Sequence, residues 1–437
     1  MTRDNCENGQ DYQTELLVPI LNSLQSLGEA ADLVHPQLAN HHDRTGFIAA
    51  SLAASMGFPL GEQETLLCAG LVHDIGAFSV KQRLDVARFD AEEVFPHCLA
   101  GYTLLSDFPS ISHMADLVRY HHVRWDRDNG SELRRDGTLR GGHILHLADR
   151  VAVALLGKKG SPLEIGKQII DQIRSESGKM FDPEIVDVFR SLGGKEVFWF
   201  EVTSLNDEVI TQHFPPDRGS LGMMPMSELA RFFSRVIDFR SPFTATHSES
   251  VSVVAEKLGQ LAGLSEEESR LLNVAGHLHD LGKMSVPVEI IEKPGRLTEQ
   301  EYDVIKVHPY HTFYILRKMP DLAEIRRWCR YHHERLDGSG YPYNLTSSEI
   351  CLQSRILAVA DVFVALAEDR PYRGRMRKGE VIKILRELAR DTKLDAPVVA
   401  LTTQCYEEIY ACLLAAQRFQ VQSYEAFLDS STFPAFE

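Results

Sequence analysis

Residues 331–342 read YHHERLDGSGYP: two adjacent histidines, His332 and His333, end an apolar helical pattern, and a loop carrying Gly338, Gly340 and Pro342 follows at once. Neighbouring residues on a regular helix point about 100° apart. Both rings can therefore meet one point only where the helix ends or distorts, as a Gly/Pro loop allows. Taken alone, such a pair reads most simply as solvated histidines before a turn. Its surroundings argue otherwise. Upstream, GHLHDLGKM (276–284) sets His279 and Asp280 at the close of the apolar run Leu271, Leu272, Val274, Ala275, Leu278. Downstream, RILAVADVFVAL (355–366) puts Asp361 in a helix apolar on nearly every face, where a carboxylate is costly unless paired or bound to a cation.

His247 in TATHSESV and His308 in KVHPYH complete an ordered set of five histidines and two aspartates. Imidazole with carboxylate, and no thiolate, favours a hydrolytic iron, manganese or zinc centre over a structural zinc site. These stretches resemble the HD-GYP family, a branch of the HD superfamily that hydrolyses cyclic dinucleotides. The matching residues are His247 with Ser248, HDLGK (279–283), KPGRLT (293–298), HP (308–309), HHERLDGSGYP (332–342), AD (360–361) and RPYR (370–373). The resemblance spans roughly residues 230–400, and the string that separates this family from other HD hydrolases is complete.

The resemblance implies a site. Asp280 would bridge two divalent metals, iron or manganese first, with zinc, nickel or magnesium as further options. His247, His279 and Asp361 would complete the ligands of one metal, and His308, His332 and His333 those of the other. A water between the two cations would attack phosphorus in line. Lys283, on the same face as His279 if the helix continues, would hold the scissile phosphate or assist departure of the ribose 3′-oxygen. Arg370 and Arg373 would clamp a phosphate. Gly340 and Tyr341 would shape the substrate pocket, in a loop also associated with protein partners. Some family members bind a third metal through a glutamate four residues before the first histidine; Phe243 stands there, so two metals are expected. The family's HPxxG reads HPYHT, with Thr312 replacing glycine. The implied reaction opens a 3′-5′ linkage of cyclic di-GMP or 3′3′-cyclic GMP–AMP to a linear 5′-phosphorylated dinucleotide. The competing reading is a metal-bound sensor that binds the nucleotide without turnover.

The skeleton occurs twice. His41 precedes His73-Asp74 by 32 residues, as His247 precedes His279-Asp280. His97 precedes His121-His122 by 24, as His308 precedes His332-His333. HILHLADRVAVALL sets Asp149 where RILAVADVFVAL sets Asp361, Met56-Gly57-Phe58 mirrors Ala262-Gly263-Leu264, and FDPEIV (181–186) answers LDAPVV (394–399). Duplication of a helical domain is the economical explanation. The expected fold is all-α: two tandem HD-type helical bundles, the second of HD-GYP type. Domain one covers 1–205, a linker 206–221, and domain two 222–437. The run KEVFWFEV (195–202) reads either as an extended connector or as the start of a helix.

The copies differ where chemistry would notice. Ala77 replaces Lys283, HHVRWDRDNG lacks Tyr-Pro, and KPGRLT has no counterpart. His41, His73, Asp74, His97, His121, His122 and Asp149 all remain, so a second metal site is open to the first domain, which reads as non-catalytic or regulatory. His35, His42, His113, His143, His146, His213 and His277 have no matched partner and read as satisfied or surface histidines.

Composition bounds the rest. The 437 residues are 44% hydrophobic and 25% charged, ordinary for a globular protein. Seven scattered cysteines without a CxxC suggest a reducing, cytoplasmic setting. A net charge of −16 argues against DNA or RNA binding, yet permits a small anionic ligand at a metal site. No apolar stretch approaches a membrane span, so no membrane association is expected. A homodimer is compatible with this organisation.

Overall fold

The computed structural model describes residues 16–90, 95–126, 137–215, 222–369 and 373–431. Apolar residues at helical spacing form helices throughout, and each repeat uses them in the same order. A helix carrying the first histidine (His41–Ser55; His247–Leu261) folds back against the next (Leu60–Val72; Glu266–Leu278). Gly57 and Gly263 turn these hairpins, both at φ 80°, a left-handed helix end that glycine adopts without a Cβ penalty. Then come the helix of the third histidine (Phe95–Ser106; His308–Ile315), a short helix ending at the histidine pair (Ala115–Tyr120; Ala323–Arg330), and the apolar helix of the last aspartate (Gly137–Leu155; Leu352–Ala367).

Each repeat also opens on a three-residue strand and a helix: Leu17–Pro19 with Ile20–Asp32, and Met223–Pro225 with Met226–Asp238. The strands pair antiparallel, Val18 opposite Met224, Leu17 opposite Pro225 and Pro19 opposite Met223. Val18 and Met224 occupy matched positions in the duplication, so a local two-fold relation passes between them. This sheet was not legible in the sequence, because three residues beside proline are too short to show a strand period.

One apolar core runs through both repeats. Polar ties cross the seam at matched positions: Lys318 pairs with Glu29, and Arg235 pairs with Asp107. The described part of the segment read as a linker, residues 206–215, packs on both repeats. It opens with the helix Asp207–His213, capped by Asn206, and Asp207 binds both Gln25 and Lys318. KEVFWFEV resolves as the helix Glu196–Thr203, where buried Trp199 donates to the Gly193 carbonyl. The long helix Tyr406–Ser431 spans the seam, with Phe427 packed against Phe78 and Phe239. Among the described residues, no helix is long and apolar enough to cross a membrane.

Candidate metal centres and substrate loop

The helix Glu266–Leu278 stops at His279 and gives way to the tight turn Leu281–Ser285. That break lets His279 and Asp280 point at one place. The two oxygens of Asp280 then serve two separate groups. Oδ2 lies 3.2 Å from His279 Nε2 and 3.7 Å from His247 Nε2. Oδ1 lies 3.3 Å from His308 Nε2 and 3.9 Å from His332 Nε2. Asp361 closes the first group, 3.4 Å from His247 Nε2, while His333 stands beside His308 and His332. The helix Ala323–Arg330 ends before the histidine pair, which is what allows both rings to turn inward.

Three rings are oriented by the backbone. His279, His308 and His332 each donate Nδ1–H to the carbonyl three residues earlier, on Gly276, Ile305 and Cys329. This turns the Nε2 lone pairs into the cluster, the arrangement a metal requires. Burial keeps His308 neutral, lowering it to about 3, and His332 to about 4. Burial opposes ionisation of Asp280, but His279, Lys283 and His308 outweigh it and hold the carboxylate well below its ordinary range. His279 Nε2 and Asp280 Oδ1 are buried without a hydrogen-bond partner. Neutral imidazoles facing shared carboxylates, with orphaned buried atoms between them, fit divalent cations.

Lys283 does not continue the helix. It sits in the tight turn, and its ammonium pairs with Asp280 at i,i+3 spacing instead of lying one α-helical turn beyond His279. Arg373, expected to clamp a phosphate, also ties down the backbone. Its guanidinium donates to the carbonyls of Ala365, Leu366 and Gly374, closing the end of the Asp361 helix. Arg370 lies outside the described residues. Tyr341 leans over His333, ring centroids 4.9 Å apart, and burial pushes its hydroxyl pKa up. Gly340 packs so closely that a Cβ would meet the Arg335 nitrogen at 2.2 Å. Phe243, 38% exposed, offers no ligand atom.

The N-terminal cluster repeats the division. Asp74 Oδ1 faces His97 (3.1 Å) and His121 (3.6 Å), and Oδ2 faces His73 (3.4 Å) and His41 (3.7 Å), with Asp149 3.4 Å from His41. His122 stands in the His97–His121 group. Its surroundings differ. Where Lys283 would stand is buried Ala77. Arg150, where the second repeat has Val362, pairs with Asp149 and donates to the carbonyls of Val86 and Arg88. The Asp149 side chain is 1% exposed against 12% for Asp361, and His333 is 20% exposed whereas His122 is buried.

Three supporting residues had no role in the sequence reading, and Thr312, noted there as a departure from glycine, acquires one. Glu368 accepts from His247 Nδ1 at 3.1 Å; its place seven residues beyond Asp361 was the available signal. Glu334, buried beside the histidine pair, accepts from the backbone N–H groups of Tyr343 and Leu345 and folds the loop back. Thr312 accepts from the Gly282 N–H and donates to the His279 carbonyl, fastening its helix to the Asp280 turn. Gly282 is needed there, since a Cβ would meet the His308 carbonyl at 2.0 Å. Arg240 reaches both repeats: Nε donates to the Phe78 carbonyl, and the two terminal nitrogens to those of Lys283 and Val286. No local pattern announced it.

The HD domain family matches residues 231–398 and, separately, residues 38–154. A 3′3′-cGAMP-specific phosphodiesterase 1 of Vibrio cholerae is 32% identical over 404 residues, covering 89% of this chain and 92% of that protein. A cyclic di-GMP phosphodiesterase response regulator of Xanthomonas campestris is 42% identical over 147 residues, 32% of this chain and 38% of that protein. The fold is shared with the crystal structure of a cyclic GMP-AMP specific phosphodiesterase of Vibrio cholerae: TM-score 0.61, 22% identity, 92% of this chain and 98% of that one.

Proposed function

Because this chain belongs to the HD-GYP family of the HD superfamily, we propose that its second repeat hydrolyses one 3′-5′ linkage of a cyclic dinucleotide, taking 3′3′-cyclic GMP–AMP ahead of cyclic di-GMP. The product is a linear 5′-phosphorylated dinucleotide. The observation that carries the chemistry is Asp280, whose two oxygens face separate histidine groups. His247, His279, Asp280 and Asp361 would hold one divalent cation, and Asp280, His308, His332 and His333 a second. Iron or manganese bound there would supply an activated water and neutralise charge on the phosphoryl oxygens. The substrate preference is supported by the relative aligned along both repeats, which is named for cGAMP.

The residues of the chain do the rest. Lys283, 19% exposed at the edge of the cluster, presents its ammonium to the scissile phosphate and supplies a proton as the ribose 3′-oxygen departs. Tyr341 and His333 form a wall of the pocket, held by the Glu334 hydrogen bonds. Arg373 acts by closing the Asp361 helix. The first repeat, with Ala77 in the lysine position, does not turn over the dinucleotide.

Chromatographic product analysis tests this reading. Manganese- or iron-loaded protein is incubated with 3′3′-cyclic GMP–AMP, cyclic di-GMP or cyclic di-AMP, beside an Asp280→Ala control. A linear dinucleotide that the control does not form supports the enzyme, and relative rates rank the substrates. Binding without turnover of any of the three would overturn it in favour of a sensor.

A further inference from the structure

The N-terminal centre contains a donor that its counterpart lacks. Cys98 follows His97 on the helix Phe95–Ser106, at the position Pro309 holds in the second repeat. Its Sγ lies 3.6 Å from His97 Nε2. The ligand atoms of His97, Cys98, His121 and His122 all lie within 4.8 Å of one another, and all four residues are buried. His122, 5% exposed, belongs to this group, and its Nε2 is buried without a hydrogen-bond partner. His121 is oriented as a ligand would be, with Nδ1–H given to the Val118 carbonyl and Nε2 turned inward. Among the described residues, none of the second repeat's metal-compatible groups includes a cysteine.

A thiol and three imidazoles converging at these separations make a nitrogen–sulfur donor set. Such a set selects a borderline-soft cation, whereas histidine with carboxylate alone serves iron or manganese equally well. Four protein ligands satisfy tetrahedral zinc and leave no open coordination position, which is the pattern of structural rather than catalytic sites. We propose that the first repeat carries a zinc site formed by Cys98, His97, His121 and His122, chemically distinct from the centre of the second repeat. The thiol binds as thiolate and its proton passes to solvent, so each zinc bound releases a proton and no oxidant or reductant is involved. The ion ties the helix Phe95–Ser106 to the turn after Ala115–Tyr120, which local contacts alone leave with an orphaned imidazole nitrogen. Asp74 Oδ1 lies beside the same ligands, 3.1 Å from His97 Nε2 and 3.6 Å from His121 Nε2, while its Oδ2 faces the separate group of His41, His73 and Asp149.

This site does not depend on the phosphodiesterase reading, and its test needs no turnover. Full-length protein is stripped of metal and titrated with cobalt(II), whose thiolate complexes absorb in the near ultraviolet by sulfur-to-metal charge transfer. The band should appear in the wild type and in Asp280→Ala, and be lost in Cys98→Ser. Zinc-loaded Asp280→Ala should show a sulfur neighbour at about 2.3 Å by X-ray absorption, a readout that holds even if Cys98→Ser fails to fold. A wild type without the band, a band that survives Cys98→Ser, or zinc coordinated only by nitrogen and oxygen would each overturn the assignment.

Discussion

The two histidine–aspartate centres share a skeleton and differ in almost everything around it. In both, one aspartate divides its oxygens between two groups of imidazoles. In the second repeat the nearest cation is Lys283, on the bridging aspartate and partly exposed. In the first it is Arg150, on the terminal aspartate, fully buried and spent on backbone carbonyls. A partly exposed ammonium at the rim is open to a substrate; a guanidinium tied to the carbonyls of residues 86 and 88 holds the scaffold. His247 has a carboxylate behind it in Glu368, whereas Leu156 stands at the matched position and His41 Nδ1 is left without a partner. Matched histidines and aspartates therefore stand in two different electrostatic and packing environments.

The seam shows the same divergence as charge. Glu29 and Asp107 in the first repeat correspond to Arg235 and Lys318 in the second, and each pairs across the seam with an opposite charge. Two copies of either repeat in this arrangement would oppose like charges. The pairing thus selects one repeat of each kind.

The largest expected effect sets Asp280 against Asp74. Asp280→Ala should lower cyclic dinucleotide turnover by ~1000-fold or more, because both ligand groups lose their shared carboxylate, while Asp74→Ala should cost less than ~10-fold. Equal losses in steady-state assays would show that both repeats catalyse. Next, Lys283→Met should lower kcat by ~100-fold with little change in KM, as befits a group acting on the departing oxygen. A change confined to KM would make Lys283 a binding residue.

Arg240→Met removes the guanidinium from three seam carbonyls, of which that of Lys283 keeps the Val286 N–H, and should cost about 2 kcal/mol in urea unfolding. It should also lower kcat with the metal content unchanged, since one of those carbonyls belongs to Lys283. Restoration of kcat by Arg240→Lys without recovery of stability would separate the two roles.

Acid should act on the metal-free protein through its buried imidazoles. Burial lowers His277 and His308 to about 3 and His332 to about 4, from the ordinary 6.5. The unfolded chain takes up protons at these positions before the folded one does. Their contribution to stability is full above pH 6.5 and is lost as pH falls toward the folded values. These rings pull Tm down from pH 6.5 to 4, while Asp32, Asp43 and Asp238, raised by burial to about 7, push it up as they protonate. His277→Gln should therefore raise Tm at pH 4 relative to pH 7, and no change in that difference would mean that this ring is not sealed from water. The smallest effect belongs to the seam charges. Asp107→Arg or Arg235→Asp alone should cost about 1 kcal/mol or less, and the double exchange should recover most of it. Failure to recover would mean that packing of Arg235 on Phe108, not charge, is what the single variant loses.

The histidines and aspartates that converge in both centres were legible because each comes from a motif with its own local reason: a helix that ends at a histidine, a histidine pair before a glycine loop, an aspartate stranded in an apolar helix. The helical repeat was legible for the same reason, since spacing along one chain records both periodicity and duplication. Glu368, Thr312 and Arg240 were not, because a carboxylate, a hydroxyl or a guanidinium acquires its role only from what a distant segment brings within about 3 Å. The same holds for Arg373: its place in a basic run suggested a phosphate contact, and no spacing announced the hydrogen bonds of its guanidinium to the last carbonyls of the Asp361 helix. By itself the sequence determined which side chains are present, on which helices, and that the pattern occurs twice. Only the tertiary structure decided that Lys283 meets Asp280 at a partly exposed rim, whereas Arg150 seals the other centre from behind Asp149. Local spacing specifies the faces of helices, whereas desolvation and hydrogen-bond satisfaction depend on all the surfaces packed against them.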